Sequence, residues 1–380
     1  MPTSEPYDRP RKLLLVVDAP SLLHRNHHAR AYTRITDRSG RPAWALHGML
    51  RQIIESIDGF APDAVIFGLD DRTASVRRDF YPDYKAGRAE KHPELVDQLE
   101  RAGGLLDALG LATLTPPGLE ADDVNASGAT WAERNGWNCV IITSDRDAFA
   151  HISEHTQVLR LIDGGINGSP LLNPTKLRLM YGVSADRYLE YAALRGDASD
   201  NLPGVSGIGE KSAAVLLEQA GSMDTVWADI DHNDGRAVVA ALDSWAEETG
   251  GRRTGATIVR RLSAPGARER YDFNVRIMSG RDDLDLGLTP DVPGSPGLLP
   301  LDLDRVTRVV GFLNVQATTD LAIRVLSTNP ASASGGLRSG GQVQGDQAGG
   351  LSRVEAEHDQ HSLREQDREP GVEDGADHLW

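Results

Sequence analysis

Cysteine is almost missing from this chain, with Cys139 the one example in 380 residues. A single thiol excludes a disulfide framework and fits a reducing compartment. Long apolar runs are also missing. No stretch approaches the roughly 20 residues that a membrane helix needs, and no signal-peptide core follows the polar start at residues 1–11. These absences predict a soluble, cytoplasmic protein with no membrane partner. There is no Cys/His pattern for zinc, and no Ser/His or Cys/His arrangement that would support a covalent route. His24, His27, His28 and His47 have no carboxylate or cysteine at a matching spacing, so they are given no role. No internal repeat is found. Positive charge is short as well: 40 Lys and Arg stand against 56 Asp and Glu, a formal charge of −16.

The acids are present in quantity, and their placement is informative. Asp18, Asp70, Glu120, Asp122 and Asp123, Asp145 and Asp147, then Asp197 and Asp200 recur in tight clusters, each just past an apolar run. Val140-Ile141-Ile142-Thr143 reads as a buried parallel strand ending in Ser144-Asp145-Arg146-Asp147, and residues 13–17 read as another ending in Asp18. In an open α/β sheet the carboxyl ends of the strands share one edge, where acids distant in sequence converge. Clustered carboxylates resist ionising together unless positive charge sits between them. Oxygen-only ligands suit a hard ion, Mg²⁺ or Mn²⁺, and two such ions about 3.5–4 Å apart can activate a water and stabilise the leaving oxygen of a phosphodiester. The alternative for each acid taken singly is a helix N-cap or a solvated loop, since Asp is a favoured cap.

A second constellation follows the last acids. Gly204-Val205-Ser206-Gly207-Ile208-Gly209 reads as a hairpin between two helices, with glycines where the chain turns sharply and lets a phosphate approach the backbone. Amides here, at the start of a helix over 211–217, can hold one DNA phosphate without reading sequence, and Lys211 and Ser212 can add side-chain contacts. A plain helix connection is the other reading.

With these residues in place, the chain resembles the 5′-nuclease superfamily of flap endonucleases and 5′–3′ exonucleases, including the 5′-nuclease domain of bacterial DNA polymerase I and free-standing phage and bacterial enzymes. The resemblance spans residues 13–326. It rests on Leu15-Val16-Val17-Asp18, Tyr84-Lys85-Ala86-Gly87-Arg88, Gly118-Leu119-Glu120-Ala121-Asp122-Asp123, Thr143-Ser144-Asp145-Arg146-Asp147 and the run from Gly196 to Lys211. It implies an α/β fold with a PIN-like parallel-sheet nuclease core and a helical arch, followed by a mostly helical region with a helix–three-turn–helix DNA-binding element. It also implies that Asp18, Asp70, Glu120, Asp122 and Asp123 surround a first metal, and Asp145, Asp147, Asp197 and Asp200 a second. Lys85 and Arg88 match arch residues that contact the scissile phosphate region. The chain departs from the family at Phe67-Gly68-Leu69-Asp70-Asp71, where Asp70 is favoured over Asp71 as the ligand. It departs again at Ala19-Pro20 and at Trp44.

Residues 1–11 are expected as a flexible arm and 12–173 as the nuclease core, with the arch at about 71–93. Residues 174–327 are expected as a helical DNA-binding region with its hairpin at about 200–217. Helices are expected over 43–57, 93–109, 122–135, 306–313 and 318–326, and strands over 64–68, 111–114, 138–143 and 157–161. After residue 327 the chain turns to Gly, Ser, Gln and charge, a composition expected to stay disordered. From 338 to 380 it holds about 4 basic and 10 acidic residues, so much of the negative charge belongs to the tail. Nothing after residue 327 reads as a polymerase. The arch segment offers Arg72, Arg77, Arg78, Lys85, Arg88 and Lys91 among Phe80, Tyr81 and Tyr84, a mixture suited to single strands. Of these, Arg77 and Tyr84 are the expected DNA contacts, although the rings can equally pack inward. Lys85 and Arg88, one helical turn apart, are expected on a common face. The expected activity is two-metal hydrolysis of DNA near 5′ ends, flaps or nicks, with a separate DNA polymerase as a candidate partner. A non-catalytic junction binder and a PIN-like endoribonuclease remain as alternatives.

Overall fold

The residues of strand β1 (Leu13–Asp18) divide by parity. Leu14 and Val16 pack into one core, Leu15 and Val17 into another. Burial on both faces is what a central parallel strand covered by helices requires. The computed structural model describes residues 11–162 and 165–328; the expected arm before residue 11 and the tail after residue 328 lie outside the described residues.

After β1 come α1 (Ala19–Arg30), α2 (Trp44–Phe60), β2 (Ala64–Gly68), α3 (Val76–Phe80), α4 (Pro93–Leu109), β3 (Ala112–Leu114), α5 (Ala121–Arg134), β4 (Asn138–Thr143), β5 (Thr156–Arg160) and β6 (Leu171–Leu172). The sheet order is β3-β2-β1-β4-β5-β6. All neighbours are parallel except β6, which runs antiparallel to β5. Because β1 pairs with β2 on one side and β4 on the other, the winding reverses at this point, and a crevice opens beyond the carboxyl ends of β1 and β4. Helix α5 covers one face through Val124, Ala129 and Ala132. Helices α1, α2 and α4 cover the other through Leu22, Leu46, Ile53 and Leu106.

Local chemistry sets the helix ends near the crevice. Asp18 caps α1 by accepting from the Ser21 amide at 3.0 Å, and Pro20 fits the first turn, where its missing N–H is not needed. Pro93 opens α4, and Gly110 closes it at φ +86°.

The chain continues through α6 (Pro174–Tyr181), α7 (Tyr188–Arg195), a small antiparallel ribbon of β7 (Gly196–Asp197) and β8 (Leu202–Pro203), and then α8 (Glu210–Ala220), α9 (Met223–Asn233), α10 (Arg236–Glu248), α11 (Gly255–Leu262) and α12 (Ala267–Met278). Side chains of α7 to α11 and the start of α12 extend the core on the α5 face. The last two helices, α13 (Leu303–Phe312) and α14 (Gln316–Leu326), return to the opposite face, where Val306, Val310 and Ala322 join α2 and α4. The stretch 174–327 therefore packs on both sides of the sheet.

The segment expected as a helical arch differs from that expectation. It holds the five-residue α3 and then a run of turns over 82–87. Lys85 sits in the left-handed region at φ +59°, so the one-helical-turn relation between Lys85 and Arg88 does not form.

Candidate active site at the carboxyl end of the sheet

The crevice gathers acids from five places. Asp18 ends β1 and accepts the Thr143 hydroxyl of β4 at 2.7 Å across the switch point. Asp70 follows β2 and accepts the Ala121 amide at 3.0 Å, while Asp122 stands in the first turn of α5. Asp145 and Asp147 follow β4, where the Asp147 amide donates to the Asp145 carboxylate at 3.0 Å. Asp197 and Asp200 lie at and beyond β7, in the loop of the ribbon. That ribbon is held by two glycines that leave no room for a side chain. A Cβ on Gly196 would meet the Gly204 amide nitrogen at 2.2 Å, and one on Gly204 would meet the Arg195 carbonyl oxygen at 2.2 Å.

Burial and mutual repulsion act on these groups in one direction. Burial pushes the Asp18 carboxyl up to about 7, with Asp70 and Asp145 adding to the shift. Burial first, then neighbouring carboxylates, raises Asp122 and Asp147 well above the usual range. Asp200 is raised by burial despite Lys85 and Arg88. The buried Asp147 Oδ1 has no hydrogen-bond partner. A set that offers only carboxylate oxygens, with Asp18, Asp122, Asp147 and Asp200 all raised and one Asp147 oxygen unpaired, suits hard divalent cations.

Two cations from the segment between β2 and α4, Lys85 and Arg88, already sit on acids at the crevice. The Lys85 ammonium donates to both Glu120 oxygens at 3.1 Å and stands 3.9 Å from Asp200. The Arg88 guanidinium donates to Asp200 at 2.6 Å and to the Ser199 carbonyl at 3.2 Å. Burial pushes the Glu120 carboxyl up, but Lys85 and Arg77 outweigh it and hold the group below its ordinary value. Lys85 and Arg88 thus meet at one pair of acids although they share no helix face.

Several expected site residues are placed elsewhere. Asp123 does not face the crevice acids. It forms a two-point ion pair with Arg77 at 2.8 and 3.0 Å and accepts the Glu120 and Arg281 amides at 2.9 and 2.8 Å. Arg77 is correspondingly a buried structural partner, also donating to the Ile277 carbonyl at 3.1 Å, and not an open DNA contact. Tyr84 is 3% exposed with its hydroxyl on Glu120 at 3.0 Å, so its ring is not a stacking platform. Phe80 and Tyr81 pack against Phe273 of α12, with ring centroids 5.5 and 5.2 Å apart. Asp70 and Asp71 differ in their partners: Asp70 accepts the Ala121 amide at the crevice. Asp71 spends its oxygens on Thr73 and the Gly118 amide, which holds its carboxyl below the usual range, and so anchors the loop before α5.

In the hairpin, Val205 and Ile208 turn into the core, and their amides donate to Leu194 and Val205 carbonyls, both at 2.9 Å. They are therefore not available to a phosphate. Ser206, Gly207 and Gly209 remain exposed, with Lys211 exposed and Ser212 half-buried at the start of α8. Gly209 offers α8 no side-chain cap, which leaves its first amides for a ligand. Gly207 holds φ +76°, and its carbonyl accepts from Arg261 at 2.5 Å.

Sequence reasoning missed Thr143, whose hydroxyl orients Asp18, and Arg195, a buried guanidinium 3.7 Å from Asp197 that also faces Asp147. A hydroxyl at a strand end beside an acid is a readable signal; the Arg195 contact is purely tertiary.

Residues 13–182 match the family model described as 5′-3′ exonuclease, N-terminal resolvase-like domain, and residues 183–275 match that described as 5′-3′ exonuclease, C-terminal SAM fold. The chain belongs to the 5′–3′ exonuclease family. The two matched stretches meet at Gly182, the left-handed residue that ends α6. DNA polymerase I of Mycobacterium tuberculosis is 32% identical over 338 residues, 89% of this chain and 34% of that protein. The thermostable DNA polymerase I of Thermus aquaticus is 39% identical over 228 residues, 60% of this chain and 26% of that protein. The chain spans about a quarter to a third of the length of these curated relatives. Among solved structures, the T5 D15 protein co-crystallised with metal ions aligns at a TM-score of 0.52 and 16% identity, over 82% of this chain and 100% of that one. The catalytic core of Rad2 in complex with DNA substrate aligns at 0.50 and 16% identity, over 83% and 95%. These likenesses show a shared fold. Among the described residues, no helix is long and apolar enough to cross a membrane.

Proposed function

We propose that this chain hydrolyses DNA phosphodiesters near 5′ ends and at 5′-flap or nicked junctions, using two divalent cations. The observation that carries the reading is the convergence of Asp18, Asp70, Asp122, Asp145, Asp147 and Asp200 on the crevice beyond β1 and β4, with Lys85 and Arg88 stationed on its rim. Those acids, with Glu120 and Asp197, would hold Mg²⁺, or Mn²⁺ in its place, and the ions when bound supply water activation and neutralise charge on the leaving oxygen.

The chain's own residues do the rest. A phosphate entering between the 71–92 segment and α5 offers Lys85 and Arg88 a partner in place of Glu120 and Asp200. By moving onto it they stabilise the charge that develops during reaction and free the two carboxylates. Ser206, Gly207, Gly209 and the first amides of α8, with Lys211 and Ser212, would grip the duplex behind the junction through its backbone, leaving base identity unread. The curated relatives are named DNA polymerase I, and a DNA polymerase acting at the same nicks is the partner class we propose.

The test is a time course on 5′-flap, nicked and single-stranded DNA, labelled at either end, in Mg²⁺ and in chelator, run beside Asp145→Asn. Release of short 5′-labelled products in Mg²⁺ alone, lost in Asp145→Asn with DNA binding retained, is the expected result. Cleavage that persists in chelator, or cleavage of RNA only, overturns the reading.

A further inference from the structure

The histidines of α1 lack ligand partners along their own helix, but the fold brings partners from α4. His92 precedes Pro93 as the N-cap of α4 and Glu94 lies in its first turn. Ligand atoms of His27, His92 and Glu94 all lie within 4.8 Å of one another, and among the described residues this is the one trio of His, Cys, Asp or Glu that closes so far. His92 Nδ1 and Glu94 Oε2 are already 3.3 Å apart.

His27 makes the cluster more than a surface ion pair. Its side chain is buried, at 6% exposure, and neither ring nitrogen has a hydrogen-bond partner. Two unpaired polar atoms on one buried ring are uncommon and costly. The ring is fixed in place: His28 meets it edge-on at 5.2 Å, Trp44 lies at 5.6 Å, and the Trp44 indole donates to the His27 carbonyl at 3.2 Å. Burial, reinforced by His28 and His92, holds the imidazole below its ordinary pKa, which keeps the lone pair available.

We propose that His27, His92 and Glu94 form a second metal site, for a transition ion of the Zn²⁺ class, separate from the carboxylate centre. Two imidazoles and one carboxylate are a zinc donor set, with a fourth position left to water. The carboxylate centre offers only oxygen, so the two centres differ in the ion they favour. Ligand atoms around a tetrahedral zinc stand about 3.4 Å apart. His92 and Glu94, with side chains 61% and 45% exposed, are free to swing inward against the fixed His27. The bound ion would tie the end of the segment that carries Lys85 and Arg88 to α1, the helix capped by Asp18. The site is a brace on the position of that segment, and its geometry does not depend on the proposed reaction.

The experiment titrates the full chain with Co²⁺ in saturating Mg²⁺, following the visible ligand-field bands, and then displaces Co²⁺ with Zn²⁺. Expected are four-coordinate bands that saturate at one equivalent and vanish on adding one equivalent of Zn²⁺. His92→Ala and Glu94→Gln, both at the surface, each weaken Co²⁺ binding about tenfold or more, while Asp145→Asn leaves the bands unchanged. Bands that survive both His92→Ala and Glu94→Gln, bands lost in Asp145→Asn, or no stoichiometric binding overturn the site.

Discussion

Lys85 is the residue on which the proposed chemistry and the structure press hardest. Lys85→Ala removes one electrostatic stabiliser, so the single-turnover rate at saturating enzyme should fall about 10²-fold or more, with duplex affinity in Ca²⁺ little changed. An unchanged rate with weakened binding would make Lys85 only a phosphate contact. Arg77 should behave in the opposite way. Arg77→Met leaves the buried Asp123 without its ion-pair partner, held only by the Glu120 and Arg281 amides, so chemical denaturation should show a loss of about 3 kcal/mol, whereas an open DNA contact would cost almost no stability. Protonation gives a third expectation. The Asp18 carboxyl, raised to about 7, keeps its proton in the fold at pH values where the unfolded chain has lost it, and Asp122, Asp147 and Asp200 are raised in the same direction. Their contribution is present below the unfolded value near 4 and is lost as pH rises through the folded value. Glu120 and Asp123 are lowered and act oppositely, but in the acid range, below about pH 4. Metal-free melting temperature should therefore fall between about pH 5 and pH 8, and the increment from Mg²⁺ should grow, because the cations displace those protons. A Mg²⁺ increment that is flat across this range would separate the raised carboxyls from the metal centre.

Among the elements, the hairpin before α8 gives the sharpest test. Gly207→Val forces a branched side chain into φ +76° and drives a Cβ toward the Arg261 guanidinium, 2.6 Å away. Every DNA with a duplex region should bind more weakly, whatever its sequence, while the metal-dependent rate on bound substrate is kept; sequence-selective loss in binding titrations would contradict backbone recognition. The elements also show what a sequence can and cannot reveal. Strands β1, β2 and β4 were readable because burial on both faces demands unbroken apolar runs, and α4 because proline opens it and glycine closes it. The acids were readable because they stand at strand ends. The ion pair of Arg77 with Asp123, 46 residues away, was not, since its existence depends on how α3 docks beside α5. Nor was the turn at Lys85, where the family resemblance implies a helical arch and a left-handed residue stands instead. His27 carried no local signal either, because its prospective partners come from another helix.

For the whole molecule, charge is the quantity most easily misread. A formal −16 looks hostile to DNA, yet it counts the crevice acids, proposed above as cation ligands, and an acidic stretch near the end of the chain. Deleting residues 338–380 should leave cleavage and melting temperature nearly intact, because their composition offers little to pack. A large drop in melting temperature would show that the segment docks. One further property belongs to the molecule as a whole. Cys139 lies inside β4 at 1% exposure, and burial raises its thiol far above the ordinary value. To a maleimide, the folded protein is in effect free of thiols. A single cysteine introduced at exposed Gly87 or Glu90 could then carry a fluorophore without removal of the native one, giving an optical report on how the 71–92 segment moves when DNA arrives.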